Sequence, residues 1–457
     1  MSNVCQYYVF QPRSLHLVIA NSLRTLSILS VGIVVESDIK TSDVKLVQEV
    51  FSEFYTMASC QLLLYFFVVL LSLILECTSK LPEEDLLVPD LIRYWNYPVE
   101  VHEAKTEDGY YLTLHRIPRG RNDETGHFRA RSSKRPVVFL QHGLLCSSSN
   151  WVTNLPNNSL AFMLADAGFD VWLGNARGNT YSRKHETFHV DSAAFWNFSF
   201  DELAKYDLPG MIDYVLNVTQ RAQLYYVGHS QGTMMIFAGL SENAALQRRI
   251  KLAFLLAPVT RLKNIYSPIK YLALFETELK ITFELLRIHD FLPSSKMIRF
   301  FADNLCPIDE QLCSTVMELL AGYDRSDLNT SRIPVYFSHT PAGTSVKNMY
   351  HFAQLVRSKV FQKYDYGYIE NMIRYNSLTP PRYHFEKIGT PIVMMSGSKD
   401  WLAAPADVAW TAQQLPNLVR IHEIQGYNHL DFIWGMSAHA KVYGNIIQGI
   451  STWERRL

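Results

Sequence analysis

The segment LYYVGHSQGT, residues 224–233, constrains this chain more than any other stretch. An aromatic and β-branched run reads as a strand, and the apolar stretch 233–240 that follows reads as a helix. Between them lies Gly228-His229-Ser230-Gln231-Gly232. A strand that turns straight into a helix holds the turning residue in strained backbone angles, and small residues must flank it so the two arms can approach. Such an elbow lifts the Ser230 hydroxyl clear of a sheet and sets it at a helix N-terminus, whose amides favour developing negative charge. A plain glycine-flanked turn would need no partners elsewhere in the chain. A nucleophile would.

A serine hydroxyl is a poor nucleophile until a histidine takes its proton and an acid orients that histidine. After an elbow of this kind the chain order is serine, acid, histidine. Asp400 follows the strand-like run 391–396, where a strand's carboxyl end would present it, whereas its rival Asp407 falls inside the next helix. Among the late histidines, His422 lies within the strand-like run 418–424 and His439 opens the last helix. His429, in the loop 426–431, is the expected base. Two backbone N–H groups are needed for the oxyanion: the amide of Gln231, next to the nucleophile, and that of Leu144 in the loop after an earlier strand, with His142 and Gly143 shaping that loop. Cys146, just beyond, reads as a buried inert thiol, a place in the pocket lining being the alternative.

Around these residues the pattern alternates. Residues 99–106 and 110–118 flank Glu107-Asp108-Gly109 as strand, tight turn and strand; 136–143, 169–178 and 251–258 read as strands, and 161–168 and 207–218 as helices. The alternation resumes at 391–400, 407–415, 418–424 and 440–450. This predicts an α/β fold, a parallel or mostly parallel sheet with helices on both faces. Between residues 261 and 375 the rhythm disappears, and the apolar stretch 267–305 reads as helical. Placed after a core strand, the insertion reads as a cap over the sheet's carboxyl edge, an independent helical domain being the alternative. Leu272, Phe275, Phe283, Leu285 and Leu286 would face lipid in a lid or pack between cap helices. The expected organisation is therefore 80–260 and 376–457 as the two parts of the core, with the cap at 261–375 between them.

The beginning of the chain differs. Residues 62–75 are almost unbroken apolar sequence, too short for a membrane span and suited to a secretory signal, yet they lie far from Met1. Met57 is the second methionine, so 57–79 is expected to be a signal peptide and 1–56 an optional leader; a signal anchor is the alternative. Asn157, Asn197, Asn217 and Asn329 each open an N-glycosylation sequon, consistent with that route. Of six cysteines, Cys146, Cys306 and Cys313 follow the signal; the last two could form a disulfide, or all three could be reduced. No metal-ligand spacing or CxxC occurs, so no metal is expected. A formal net charge of zero, with no long basic run, gives no sign of a nucleic-acid partner. No obligate protein partner is inferred.

Long blocks, 94–120, 142–183, GHSQGTMM at 228–235, 329–356 and YNHLDFIWG at 427–435, resemble the acid lipase family that includes gastric lipase and lysosomal acid lipase, from about residue 88 to the C-terminus. The resemblance implies an α/β-hydrolase fold with an inserted helical cap or lid. It implies Ser230 as nucleophile, Asp400 as acid, His429 as base, and Leu144 and Gln231 as oxyanion amides. It implies cofactor-free hydrolysis of triacylglycerols or sterol esters at an oil–water or membrane interface by a secreted or lysosomal protein, and a Cys306–Cys313 disulfide. An acyltransferase or thioesterase could use the same three residues, since water and an alcohol can both attack an acyl-serine. A catalytically dead binder would ordinarily have lost one of the three, and all are present.

Overall fold

The alternating apolar runs form one nine-stranded sheet in a computed structural model of the chain, which describes residues 81–123, 135–275, 283, 285–292, 322 and 327–456. The described residues belong to a single unit, Thr78–Leu457. The expected leader and signal segment, and the pair Cys306 and Cys313, lie outside them. After helix α1 (Val88–Tyr94) come β1 (Glu100–Lys105) and β2 (Tyr110–Ile117), an antiparallel hairpin whose turn carries Gly109 at φ +95°. Then follow β3 (Val137–Gln141), α2 (Leu160–Asp166), β4 (Asp170–Leu173), the two-residue β5 (Lys184–His185), α3 (Leu208–Thr219), β6 (Leu224–His229), α4 (Gln231–Glu242), α5 (Ala244–Arg249) and β7 (Ile250–Leu256).

The insertion contributes β8 (Asp290–Phe291), α6 (Ile333–His339), β9 (Thr344–Ser345), α7 (Val346–Ser358) and α8 (Tyr368–Tyr375). The chain closes with β10 (Ile392–Gly397), α9 (Pro405–Gln414), β11 (Leu418–Ile424) and α10 (Gly444–Glu454). The strand order is β1-β2-β4-β3-β6-β7-β10-β11, with β5 on β2. Every pair from β4 through β11 is parallel, while β2 pairs antiparallel with β1, β4 and β5.

Every residue of β3, β4, β6 and β10 is buried, as in a sheet covered on both faces. Helix α3 turns Leu208, Met211, Ile212, Val215 and Leu216 inward at helical spacing. From β3 the chain runs to β4 on one side, whereas β6 lies on the other. That reversal opens a crevice at the strands' carboxyl ends, where ligands bind in sheets of this kind. The register Gln141↔Gly228 sets the turns after β3 and β6 side by side.

Within the stretch 267–305, residues 276–282, 284 and 293–305, on which most of the helical expectation falls, lie outside the described residues. Among its described residues, Pro268–Phe275 winds as a 3-10 helix and β8 pairs with β9. With the backbone of 289–291 bonded to 344–346, including Val346 N–H to His289 O at 2.9 Å, the chain has partners for its polar groups outside a helix. Ile333, Tyr336 and Leu355 of the insertion belong to the main core cluster.

The loop after β4 is tied to the start of α3 by a buried ion cluster. Arg177 Nε donates to Asp207 Oδ1 at 2.6 Å and its backbone N–H to Asp207 Oδ2 at 2.9 Å; its terminal nitrogens donate to both oxygens of Asp108 at 2.6 and 2.8 Å. The guanidinium also lies over the Tyr110 ring. A buried charge that loses one partner cannot recover its hydration, so Asp207→Ala is expected to cost about 3 kcal/mol in urea unfolding. A loss below about 1 kcal/mol would mean that Asp108 alone satisfies Arg177.

Candidate active site

Ser230 sits at φ 53° and ψ −119°, between the last residue of β6 and the first of α4. The strained conformation is held from several sides. Its N–H donates to Leu256 O at 3.1 Å, and its carbonyl accepts from Thr233 N–H at 2.8 Å and from the Thr233 hydroxyl at 2.6 Å. Such angles cost on the order of 1–3 kcal/mol and persist only where surroundings over-determine them. The glycines permit the crossing. A Cβ on Gly232 would stand 2.5 Å from Gln141 O, and one on Gly228 would stand 3.0 Å from the backbone of Gly232. Tyr226 OH fixes the same turn by donating to Gly232 O at 2.7 Å.

The structure brings Ser230, His429 and Asp400 into one line. His429 Nε2 lies 2.8 Å from Ser230 Oγ, and its Nδ1 lies 3.1 and 2.9 Å from the two oxygens of Asp400. A proton on Nδ1, donated to Asp400, leaves Nε2 to accept from the serine hydroxyl. Asp400 follows β10, as its sequence position implied, and its Oδ1 also accepts the N–H groups of Leu402 and Ala403 at 2.9 and 2.7 Å. His429 follows β11 in a turn held by Asn428, whose Oδ1 accepts from Leu430 and Asp431 N–H and whose own N–H reaches Asp431 Oδ2. Asp400 and His429 are buried and Ser230 is half-buried. The arrangement can move a proton off Ser230 as its oxygen attacks and return it to a leaving group.

The rivals have other work. Asp407 accepts from Arg261 and Asn264 within α9's first turn, His439 Nδ1 bonds Met436 O, and His422 lies along β11.

The turn after β3 stands against the serine: a Cβ on Gly143 would lie 3.0 Å from Ser230 Cβ. Leu144 follows in that turn, and Gln231 opens α4, where the first amides of a helix have no intrahelical acceptor. His142 fixes the turn by donating Nδ1–H to Gly143 O at 2.8 Å while Nε2 accepts from Ala176 N–H at 3.1 Å. His229 donates Nε2–H to His429 O at 3.0 Å. Burial lowers the pKa of His142 to about 4 and that of His229 to about 3, so both are neutral donors.

Two contacts escaped the sequence reading. Asn348 of α7 donates to Gln231 Oε1 at 2.7 Å, and Ala342 N–H donates to Leu145 O at 2.7 Å. Both reach the proposed oxyanion residues or their neighbours from the insertion. Asn348 is 117 residues from Gln231 in sequence, and no local pattern marks such a pair.

Of the expected lid residues, Leu285 and Leu286 are exposed and Phe283 packs near Phe291. The side chains of Leu272 and Phe275 lie outside the described residues. Asn157, Asn197 and Asn217 are exposed and Asn329 is partly so. Among the described residues there is no cluster of His, Cys, Asp and Glu suited to a metal, and no helix long and apolar enough to cross a membrane.

A nucleophile elbow at a parallel sheet's switch point, with an acid and a histidine on later strand ends, defines an α/β hydrolase. The family described as alpha/beta hydrolase fold matches residues 136–436, and a partial alpha/beta-hydrolase lipase region matches 88–155. Within that class the chain is 47% identical over 374 residues to gastric triacylglycerol lipase of Homo sapiens, covering 81% of this chain and 92% of the relative. It is 46% identical over 375 residues to lysosomal acid lipase/cholesteryl ester hydrolase of Homo sapiens, again covering 81% and 92%. The chain belongs to this gastric and lysosomal acid lipase family. A solved structure from Sulfolobus solfataricus shares the fold at a TM-score of 0.53 and 15% identity, over 78% of this chain and 95% of that one.

Cys146, next to the Leu144–Leu145 turn, is a free thiol whose pKa burial raises from 9.0 to about 11. Only the thiolate is alkylated, so at pH 8 two units of pKa predict about a hundredfold slower iodoacetamide labelling than for an ordinary thiol. Peptide mapping by mass spectrometry measures it. The rate should rise on unfolding and as pH approaches 11.

Proposed function

We propose that this protein is a lipase that hydrolyses triacylglycerols or sterol esters through an acyl-enzyme on Ser230. The observation that carries the reading is the Ser230–His429–Asp400 line, at 2.8 and 2.9 Å, built on a strained elbow. Family membership supports the substrate class, since the relatives are described as a triacylglycerol lipase and a cholesteryl ester hydrolase.

In the first half-reaction, Ser230 Oγ attacks the ester carbonyl carbon as His429 Nε2 takes its proton. Asp400 holds the imidazole by Nδ1–H and stabilises the imidazolium that forms. The carbonyl oxygen becomes an oxyanion and is received by the amides of Leu144 and Gln231, a donor pair of the kind in which each is worth on the order of a hundredfold or more in rate. The tetrahedral centre collapses, the C–O bond to the alcohol breaks, and His429 returns its proton to that oxygen. Water then attacks the acyl-serine with His429 again as base, releasing the fatty acid and restoring Ser230. No cofactor enters either half.

The insertion acts as the cap over this crevice. Its contacts from Asn348 and Ala342 support a role in fixing both oxyanion donors as well as in covering them. The sequons and the apolar segment 62–75 favour the secretory route, ending in secretion or in a lysosome.

The test is hydrolysis of emulsified triolein and cholesteryl oleate by the purified protein at acidic and neutral pH. Ser230→Ala is expected to abolish turnover and fluorophosphonate labelling while the protein remains folded. Asp400→Asn is expected to lower kcat by about a thousandfold or more, because the histidine then lacks its orienting acceptor. Substantial activity in either variant refutes the assignment. Labelling of Ser230 without hydrolysis of either emulsion would instead favour acyl transfer to an alcohol.

A further inference from the structure

Within the described residues, helix α8 buries none of its apolar side chains. Tyr368, Ile369, Met372 and Ile373 are exposed, Ile369 at 82% and Ile373 at 73%, and Leu378 just beyond is exposed as well. At 3.6 residues per turn the four helical residues fill one continuous arc of about 140°. Only Asn371 of this helix is buried. By contrast, α3 turns its apolar stripe inward and α4 is buried almost throughout.

Polar contacts hold α8 in place. Asn371 Nδ2 donates to Asp365 Oδ1 at 2.7 Å and to Leu378 O at 3.2 Å, and its Oδ1 accepts Tyr366 N–H at 2.9 Å. Tyr375 OH donates to Tyr364 O at 2.9 Å. Asn376 in the left-handed conformation ends the helix by returning its N–H to Met372 O. The apolar arc is therefore not needed to seat the helix. A contiguous exposed apolar face of this kind marks an interaction surface.

We propose that α8 is a docking helix for a lipid surface, lying in the interface with its apolar arc buried, outside the catalytic residues and separable from turnover. The choice of partner rests on the lipase reading. A second protein surface fits poorly, because a stable protein interface uses about 20–30 residues a side and this face offers five. A lipid phase needs no matching partner surface, and an amphipathic helix can lie in it by its apolar side alone. Charge is compatible: Glu370 and Arg374 lie beyond one edge of the arc and pair with each other at 2.7 Å, leaving the helix no net charge to repel a zwitterionic surface. The same part of the insertion carries a second apolar element. Phe283, Phe291 and Tyr366 pack around Val346, Tyr350 and Tyr364, and beside Phe283 the side chains of Leu285 and Leu286 stand exposed.

The test separates docking from chemistry by using Ser230→Ala protein. Flotation with phosphatidylcholine vesicles and with phosphatidylcholine-coated triolein should show binding. Ile369→Glu with Ile373→Glu in the same background should weaken it by about tenfold or more, since two aliphatic side chains lose their burial. The milder Ile373→Ser should weaken it in the same direction, and Glu370→Ala with Arg374→Ala should not. With Ser230 restored, the double glutamate variant should hydrolyse a water-soluble short-chain ester within about twofold of the parent rate, because the face lies outside the site. Its melting temperature should match the parent's.

Absence of vesicle binding by the Ser230→Ala protein overturns the inference, as does binding that the double glutamate variant leaves unchanged. Sedimentation showing a dimer that the same variant dissociates overturns it too, by assigning the face to a second copy. Ser230-dependent hydrolysis of emulsions without α8-dependent binding would sink the docking helix and leave the lipase reading. The converse result would do the reverse.

Discussion

Everything in this site depends on one close crossing, that of the Gly228–Gly232 turn over the end of β3. There is no room for a side chain on Gly232, because Gln141 O would stand 2.5 Å from its Cβ. The same contact brings the 142–145 turn to the serine and so sets two structures against each other: the nucleophile's elbow and the loop that carries Leu144. Parallel pairing of β3 with β6 in the register Gln141↔Gly228 makes the crossing possible. Both faces of those strands are buried, so the register cannot slip without moving whole rows of apolar side chains. The strain at Ser230 is thus held by two fully buried strands.

A second layer comes from the insertion. Its polar contacts converge on the two turns that flank the serine: Asn348 on the side chain of Gln231 and Ala342 on the carbonyl of Leu145. Asn348 is itself fixed, its N–H on Ser345 Oγ at 2.9 Å and its Nδ2 shared with Thr344 Oγ1 at 3.1 Å. Movement of α7 would therefore be felt at the side chain of Gln231. The insertion is thus tied by hydrogen bonds to both turns beside Ser230.

What the sequence made legible follows from how local each feature is. Ser230 stood out because a strand, an elbow and a helix are consecutive in the chain. Asp400 and His429 were legible as loop residues just past apolar strand-like runs, a position that excludes their neighbours Asp407, His422 and His439. The core alternation was equally plain, because buried parallel strands are unbroken runs of apolar residues. What escaped was long-range or polar. The Arg177–Asp207 pair is 30 residues apart and buried, and Asp207 read only as a helix start. The pairing of β8 with β9 joins residues 53 and 55 positions apart, and β8 lies in an apolar stretch whose pattern fits helix equally well. The outward face of α8 could not be read at all, since an amphipathic pattern gives a helix two faces without saying which one meets the core.

The two buried histidines beside the serine carry one more consequence. His142 and His229 act as fixed hydrogen-bond hardware, and burial keeps their proton uptake near pH 4 and pH 3. Between neutral solution and about pH 5 neither one changes charge, so the bonds that shape the 142–145 turn and the His429 backbone stay the same. The turn beside the serine is insulated in this way, while acid sensitivity inside the core falls to the carboxyls of Asp201 and Asp207, which burial pushes up to about 6.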